Sequence, residues 1–440
     1  MSFKSLNLSP KLLKTLNQLN YTTPTEIQTK SIPLLLKGKD ILATSQTGTG
    51  KTASFLLPLL ENIQESKRIR TGEERYKVKA LILAPTRELV LQIHNKAEEY
   101  AQNFTHKSVA LYGGVKLGSQ VSAIRAGANI AVGTTARVLD HIKNKSLNLS
   151  EVEIVILDEA DKMLEMGFID DIRAILSQLP KERQSVMFSA TFPKTIKSLA
   201  KSFLNSPIII EIDSKNLATA QVKQLIHYVN EEEKTPLLSH LIKKEKWSQV
   251  LVFTNTKIQA DKIVEALRDN KIEASAIHGD KSQGMRVEAL KRFKNKQIKV
   301  LVATDIAGRG IDIMNLPHVI NFELPRENED YIHRIGRTGR AGKEGQAISF
   351  VCKKEINQLK EIETLINKKL DPITTEGFDY APHTKISNRK SKKEEKKKGV
   401  DLKKAKALAE KMMGKKGMEE KIVTKKRKRG GEKPTNKRHF

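Results

Sequence analysis

Cysteine is almost missing from this chain: Cys352 is the only one in 440 residues. That excludes an intramolecular disulfide and a cysteine-built zinc site, and it fits a reducing compartment. Long apolar runs are missing as well. No stretch approaches the roughly 18–20 apolar residues that span a bilayer, and the N-terminus carries no apolar signal core. A soluble, cytoplasmic chain without membrane contact is expected. Acidic residues fall short of basic ones, 51 against 79, which leaves a formal net charge of +28. A polyanionic partner is therefore the first inference. The imbalance is uneven: residues 385–440 alone hold 23 Lys and Arg against 7 Asp and Glu.

What is present begins with Ser45-Gln46-Thr47-Gly48-Thr49-Gly50-Lys51-Thr52. The apolar run Ile41-Leu42-Ala43 leads into it, and a helical pattern from Ala53 to Leu60 leads out. Strand, glycine loop, Lys-Thr and helix form the arrangement that wraps backbone N–H groups around a polyphosphate. The glycines let the main chain approach without a Cβ in the way. Lys51 would reach the β/γ oxygens, and Thr52 would offer its hydroxyl to Mg²⁺. Ser45 stands where the general pattern has glycine, and a plain polar turn before a helix is the competing reading. The strand-like run before it and the helix after it favour the phosphate loop. Such a loop speaks for nucleotide binding, not for what the nucleotide drives.

The length allows two or three domains. Helices are expected from Pro10 to Leu19 and from Thr25 to Leu36, with Thr25 as N-cap after Pro24. From Asp40 onward, apolar runs alternate with amphipathic segments. The runs are Ile41–Ala43, Ala80–Ala84, Val109–Leu111, Ile130–Val132, Ile154–Leu157, Ser185–Phe188 and Ile208–Ile212. Continuous apolar strands between helices imply a parallel sheet covered on both faces, with its chemistry at the carboxyl ends of the strands. After a polar linker the alternation resumes, with strands at Gln224–Val229, Val250–Thr254, Ala274–Ile277, Val300–Ala303, Val319–Phe322 and Ala347–Val351. Helices are expected there at Ile258–Asn270, Gly284–Lys294, Glu329–Ile335 and Ile356–Lys369. The fold class is α/β: two tandem doubly wound domains. The division runs 1–38 helical entry, 39–212 first domain, 213–223 linker, 224–375 second domain and 376–440 a Lys-rich tail. That tail cannot bury enough apolar surface to offset its ordering entropy and should be disordered. The second domain has no glycine loop, so one nucleotide site completed by the second domain is expected.

Asp158-Glu159-Ala160-Asp161 follows the run Ile154-Val155-Ile156-Leu157. Carboxylates at the end of a buried strand in a phosphate-loop domain are placed to hold Mg²⁺, largely through water. Asp158 suits the metal. Glu159 suits orienting and deprotonating an attacking water. Four such residues alone often open a solvated helix; the strand before them and the loop upstream favour the site.

With these residues the chain resembles a DEAD-box ATP-dependent RNA helicase of superfamily 2, which has two RecA-like domains. The likeness runs from Phe3 to about residue 350, with the motifs in family order. Phe3, Tyr21 and Gln28 resemble the adenine-reading Q motif, with Asn20 in place of its usual glycine. Ser45–Thr52 resembles motif I, whose family form does not need glycine first. Pro85-Thr86-Arg87-Glu88-Leu89 resembles motif Ia, and Gly113-Gly114 the glycine pair after it. Thr134-Thr135-Ala136-Arg137 stands where the family has Thr-Pro-Gly-Arg. Ser189-Ala190-Thr191 resembles motif III, Val252 to Thr256 motif IV, and Gln283 with Arg286 the Q-x-x-R motif. Ala303-Thr304-Asp305 with Arg309-Gly310-Ile311-Asp312 resembles motif V, and His333 to Arg340 motif VI. The Lys-rich tail on a short core resembles the bacterial RhlE-like subgroup.

The resemblance implies roles. ATP would be held by the Q motif and by Ser45, Gln46, Thr47, Gly48, Thr49, Gly50, Lys51 and Thr52, with Asp312 near the ribose. Asp161, Ser189, Thr191 and His333 would couple the domains. Arg334, Arg337 and Arg340 at helical spacing would by themselves form a solvated face. In a domain without its own phosphate loop they suit donation across a cleft, and the family role of stabilising the γ-phosphoryl group falls to Arg337 and Arg340. RNA phosphates would meet Pro85, Arg87, Gly114, Thr134 and Arg137 on one domain and Arg286 and Thr304 on the other. Such contacts position a strand without reading it. The implied activity is RNA-stimulated ATP hydrolysis that separates short duplexes or remodels RNA–protein complexes. An ATP-dependent RNA clamp or assembly factor with little unwinding is the alternative; a DNA-directed helicase is a weaker third reading. Ribosomal RNA is the candidate target, as is a link to ribosome biogenesis. The tail would hold structured RNA or an acidic partner, and a monomer is expected.

Overall fold

Strand positions in this chain are apolar on both sides of the pleat, and that dictates layers. A computed structural model describes residues 2–44, 49–63, 77–190, 194–212, 222–308, 313, 316–339 and 345–380. Among them the strands form two seven-stranded sheets. The first runs in the order β3-β4-β2-β5-β6-β1-β7: β1 Ile41–Thr44, β2 Ala80–Leu83, β3 Ser108–Leu111, β4 Ile130–Gly133, β5 Ile154–Leu157, β6 Gln184–Ser189 and β7 Ile208–Glu211. Every pairing is parallel; Ile41, for example, stands opposite Val186 on one side and Ile208 on the other.

Successive strand residues point to opposite faces, and both faces are dry along the inner strands, while the edge strand β7 leaves Ile208 and Ile209 exposed. Ile41, Ile82, Ile156 and Phe188 belong to one core with helices Pro10–Gln18, Glu26–Leu36, Lys51–Asn62 and Arg87–Tyr100. Their neighbours Leu42, Leu81, Val155 and Met187 belong to a second core with helices Leu117–Arg125, Thr135–Lys143, Ile169–Leu176 and Lys194–Phe203. Each fully buried Leu, Ile or Phe contributes about 1.5–3 kcal/mol, so burial on both faces outweighs any single local preference.

The second sheet repeats the plan in the order β10-β11-β9-β12-β13-β8-β14, again parallel: β8 Val222–Tyr228, β9 Val250–Thr254, β10 Ala274–Ile277, β11 Val300–Thr304, β12 His318–Asn321, β13 Gly345–Val351 and β14 Asp371–Pro372. Both sheets belong to one unit, Met1–Phe378.

The expected strands all form, with ends shifted by at most two residues. β8 starts at Val222, inside the segment read as linker, and 213–221 lie outside the described residues. Sequence reading missed β14 and helix Lys234–Lys244. In that helix Pro236 sits in the first turn, where a proline costs little. Its core residues are Leu237, Leu238, Leu241 and Ile242, and Lys234 is buried against Glu355 at 2.6 Å. The helix read from Ile356 to Lys369 ends at Leu365. The tail expected to be disordered lies, from residue 381, outside the described residues.

Candidate nucleotide and nucleic-acid site

A parallel sheet puts all its strand ends of one kind on one edge, and strand order decides which loops become neighbours. β5, β6 and β1 are adjacent, so the segments after them come together: Asp158-Glu159, Ser189-Ala190 and Thr49-Gly50. β3, β4 and β2 are adjacent on the other half, grouping Gly113-Gly114, Thr134 to Arg137 and Pro85 to Arg87. One sheet edge thus carries two separate clusters.

In the first cluster, Ser45, Gln46, Thr47 and Gly48 lie outside the described residues, and Thr49 to Thr52 are described. Gly50 caps helix Lys51–Asn62 at φ 96°, a conformation that favours glycine. A Cβ there would stand 2.4 Å from Gln28 Nε2. Gln28 Nε2 donates to the Gly50 carbonyl at 3.1 Å, and its Oε1 accepts from Thr25 N–H at 2.9 Å. Gln28 is therefore a brace on the Gly50 turn. Phe3 is buried edge-on to Tyr21 at 6.4 Å, and the Tyr21 hydroxyl meets that of Tyr100 at 3.0 Å.

Lys51 is 6% exposed, and its Nζ has no hydrogen-bond partner among the described residues. A buried ammonium without a partner is costly; a polyphosphate would satisfy it, and Thr52 follows it half-buried on the same helix. Burial pushes the Asp158 carboxyl up to about 6, against the pull of the Lys51 ammonium. Glu159 has φ 53° and ψ 49°, a left-handed conformation that costs about 1–2 kcal/mol for a side-chain-bearing residue. Its N–H is held by Asp158 Oδ1 at 3.0 Å. Asp161 accepts from Lys162 N–H through one oxygen and from Ala190 N–H through the other, both at 3.0 Å, which ties β5 to the end of β6. Ser189 is fully buried, and Thr191 lies outside the described residues.

The second sheet meets this edge directly. Lys162 Nζ donates to Asp330 Oδ1 at 3.0 Å, and His333 Nδ1 stands 3.6 Å from the same oxygen. Both Lys162 and Asp330 are buried. Helix Asn328–Ile335 is thereby fixed beside the carboxylates, and Arg337 follows it, 5% exposed. Arg340 and Asp312 lie outside the described residues. Arg334 is no solvated side chain. It forks onto Asp305 at 2.6 and 2.7 Å, reaches Asn321 Oδ1, the Glu323 carbonyl and Asn255 Oδ1, and lies over the Phe253 ring. It knits motifs IV, V and VI into one body.

In the second cluster Arg87 is half-buried at the start of helix Arg87–Tyr100, and a Cβ on Gly114 would stand 2.4 Å from its NH1. Gly114 has φ 83°, so glycine serves both the turn and the close approach. Pro85 is buried beneath. Arg137 donates to the Val115 carbonyl at 3.2 and 3.3 Å and to Gln120 Oε1 at 3.3 Å. Thr134 is half-buried as the N-cap of helix Thr135–Lys143. From the second sheet, Thr304 ends β11 with 8% exposure. Arg286 pairs with Glu88 at 2.8 Å and Gln283 donates to Glu88 at 3.2 Å.

The DEAD/DEAH box helicase model matches residues 25–199, and the helicase conserved C-terminal domain model matches residues 233–342. The DEAD-box ATP-dependent RNA helicase CshA of Bacillus subtilis is 41% identical over 381 residues, 87% of this chain and 76% of that protein. The chain belongs to the DEAD-box ATP-dependent RNA helicases. CshA of Geobacillus kaustophilus is 40% identical over 380 residues, covering 86% of this chain and 80% of its own length. A solved structure of S. cerevisiae Dbp5 bound to RNA and ADP BeF3 superposes with a TM-score of 0.77 at 32% identity, over 88% of this chain and 99% of that one.

Two departures from the family pattern have physical explanations. Asn20 has φ 59°, and asparagine is the residue that most readily replaces glycine there. Thr135 takes the first helical position where the family has proline; proline suits that position but is not required by it. Sequence reading missed Glu88, Lys162 and Asp330 as contacts across the cleft. Nothing local in the sequence marks them, since their partners lie far away in the chain.

Proposed function

We propose that this chain hydrolyses ATP in response to RNA and uses closure of its two lobes to separate short duplexes locally. The observation that carries the reading is the buried Lys162–Asp330 pair, which sets helix Asn328–Ile335 of one lobe against the carboxylate-bearing strand end of the other. The two lobes are RecA-like domains, the first over 39–212 and the second beginning with β8 at Val222 and running to 375, with 1–38 as entry and 376–440 as tail. The unpartnered Lys51 ammonium and the glycine-lined Gly50 turn suit a polyphosphate. Mg²⁺, when bound with ATP, supplies charge neutralisation at the phosphates. Thr52 and Asp158 would hold the metal, largely through water and the nucleotide.

Glu159 takes the proton of the attacking water on its carboxylate. Arg337 and Arg340 balance the charge that develops on the transferring phosphoryl group. Asp161, Ser189, Thr191 and His333 transmit that state between lobes. Pro85, Arg87, Gly114, Thr134, Arg137, Arg286 and Thr304 hold RNA by its backbone, so recognition is by shape and 2′-hydroxyl rather than by sequence. A bent strand held on closure does not fit a straight duplex, and the pairing partner leaves. ATP favours closure by its differential affinity for the closed state.

No helix among the described residues is long and apolar enough to cross a membrane. A monomeric, cytoplasmic enzyme acting on ribosomal RNA during ribosome biogenesis, with its basic tail tethering structured RNA or an acidic partner, is the setting we infer; an RhlE-like subgroup is part of that proposal. Glu159→Gln tests the reading: RNA-stimulated turnover should fall by about 10²–10⁴ while nucleotide binding persists. Turnover within threefold of the parent would sink it. Strand displacement on a short RNA duplex separates unwinding from clamping, because a clamp hydrolyses ATP without releasing strand.

A further inference from the structure

The edge of the second sheet that faces away from the cleft is lined with lysine. Strands β10, β11 and β9 are neighbours, and the segments that lead into them meet there. Lys299 N–H donates to the Glu273 carbonyl at 3.0 Å, the Lys299 carbonyl accepts from Val250 N–H at 2.9 Å, and Lys243 Nζ donates to Asn270 Oδ1 at 3.2 Å. Segments 243–249, 268–273 and 291–299 carry ten Lys and Arg against three Asp and Glu. Lys246, Lys271, Lys296 and Lys299 are exposed, and none of them pairs with a carboxylate among the described residues. Lysines in the last turn of a helix, such as Lys243 and Lys244, answer the helix dipole. These four lie beyond the last turn. Three of them also adopt a conformation that disfavours a side chain: Lys246, Lys271 and Lys296 have φ 51°, 62° and 58°. The first lobe gives the same turn to Gly38, Gly127 and Gly167, and once to a lysine, Lys145. The backbone therefore does not ask for lysine here.

We propose that this rim is a second surface for RNA, holding the phosphates of a duplex segment that extends beyond the cleft. This rests on RNA as the partner. The cleft contacts lie at the carboxyl ends of the strands, about 17 Å away along five-residue β9, so a strand confined to the cleft does not touch the rim. Ammonium groups on flexible stems suit phosphates whose positions vary, and they read no sequence. A protein partner fits less well: interfaces are poor in lysine and rich in aromatic side chains, and no large apolar residue is exposed along these segments. A membrane surface fails on the same count, since nothing there would enter the lipid.

The test is binding of the full chain to two RNAs, a single strand that only fills the cleft and the same strand extended by a hairpin duplex, from about 50 to about 200 mM salt. The variant combines Lys246→Asn, Lys271→Asn and Lys296→Asn. Asparagine accepts the left-handed turn, so the charge is removed while the fold is kept, and an unchanged or raised denaturation midpoint verifies that. For the extended RNA the slope of log affinity against log salt should fall by about 2, and affinity at low salt should weaken on the order of tenfold. For the cleft-filling strand, affinity and the ATP turnover it stimulates should stay as in the parent. A matched variant, Lys181→Gln with Lys197→Gln and Lys201→Gln, removes the same charge elsewhere and should leave both RNAs unaffected. A slope on the extended RNA within about 0.5 of the parent, an equal loss on both RNAs, or an equal loss in the matched variant would each overturn the proposal. Loss of polyglutamate binding in the asparagine variant with RNA binding intact would assign the rim to an acidic protein and overturn it too. A parent chain that binds neither RNA would instead overturn the RNA reading.

Discussion

Arg334→Lys should unfold the second lobe early, although it keeps the charge and looks conservative. Arg334 makes five hydrogen bonds, two of them a fork onto Asp305, and its side chain is 2% exposed. An ammonium has three donors, so at least two of the five bonds are lost. Bonds to charged groups contribute about 1.5–3 kcal/mol each, which sets a loss of roughly 3 kcal/mol at the lower end. A lobe of this size shifts its midpoint by about 2–4 °C per kcal/mol, so a fall of about 6–12 °C is expected. The chain carries its own reporter. Trp247 is the only tryptophan. It lies in the same lobe, 7% exposed and stacked on His318 at 4.3 Å. Its emission during heating therefore follows this lobe and not the first. A midpoint within about 2 °C of the parent would refute the claim that Arg334 is a structural hub.

Arg337→Ala, three residues on, should behave differently: RNA-stimulated turnover falls about 10³-fold while a fluorescent ADP analogue still binds, and a loss under tenfold would reject its role at the phosphoryl group. Asn20→Ala should cost about 1 kcal/mol in chemical denaturation, because alanine at φ 59° has no local hydrogen bond to offset the strain; Asn20→Gly should be neutral or stabilising, and equal effects would contradict the assignment. Burial holds the imidazoles of His227 and His318 down at about 4, from an ordinary value of 6.5. The unfolded chain binds those protons first, so the second lobe loses stability as pH falls from about 6.5 to about 4 and is unaffected above that range. Trp247 emission midpoints across pH check this, and a profile unchanged by His318→Asn would count against it.

The layered plan was legible because it rests on a local property. A strand buried on both faces must be apolar at every position, and runs such as Ile154–Leu157 announce that without reference to anything distant. The Gly50 turn and the Asp158-Glu159 strand end were legible for a similar reason: the pattern proposed for phosphate and metal chemistry is confined to a few neighbouring positions. Helix Lys234–Lys244 was hidden by a proline in its first turn and by a lysine whose partner, Glu355, lies 121 residues away.

What only the tertiary structure decided is who touches whom. Strand order, not strand identity, separates the nucleotide cluster from the second cluster on one sheet edge. Arg334 and Arg337 look alike in sequence, and only packing shows the first to be a hub bonded to motifs IV and V. Lys162 meets Asp330 across 168 residues, and Glu88 meets Gln283 across 195. Hydrophobic pattern repeats with the period of its own element and can be read along the chain. An ion pair across a cleft has no period, and its two halves become partners only when two separately folded sheets are brought face to face.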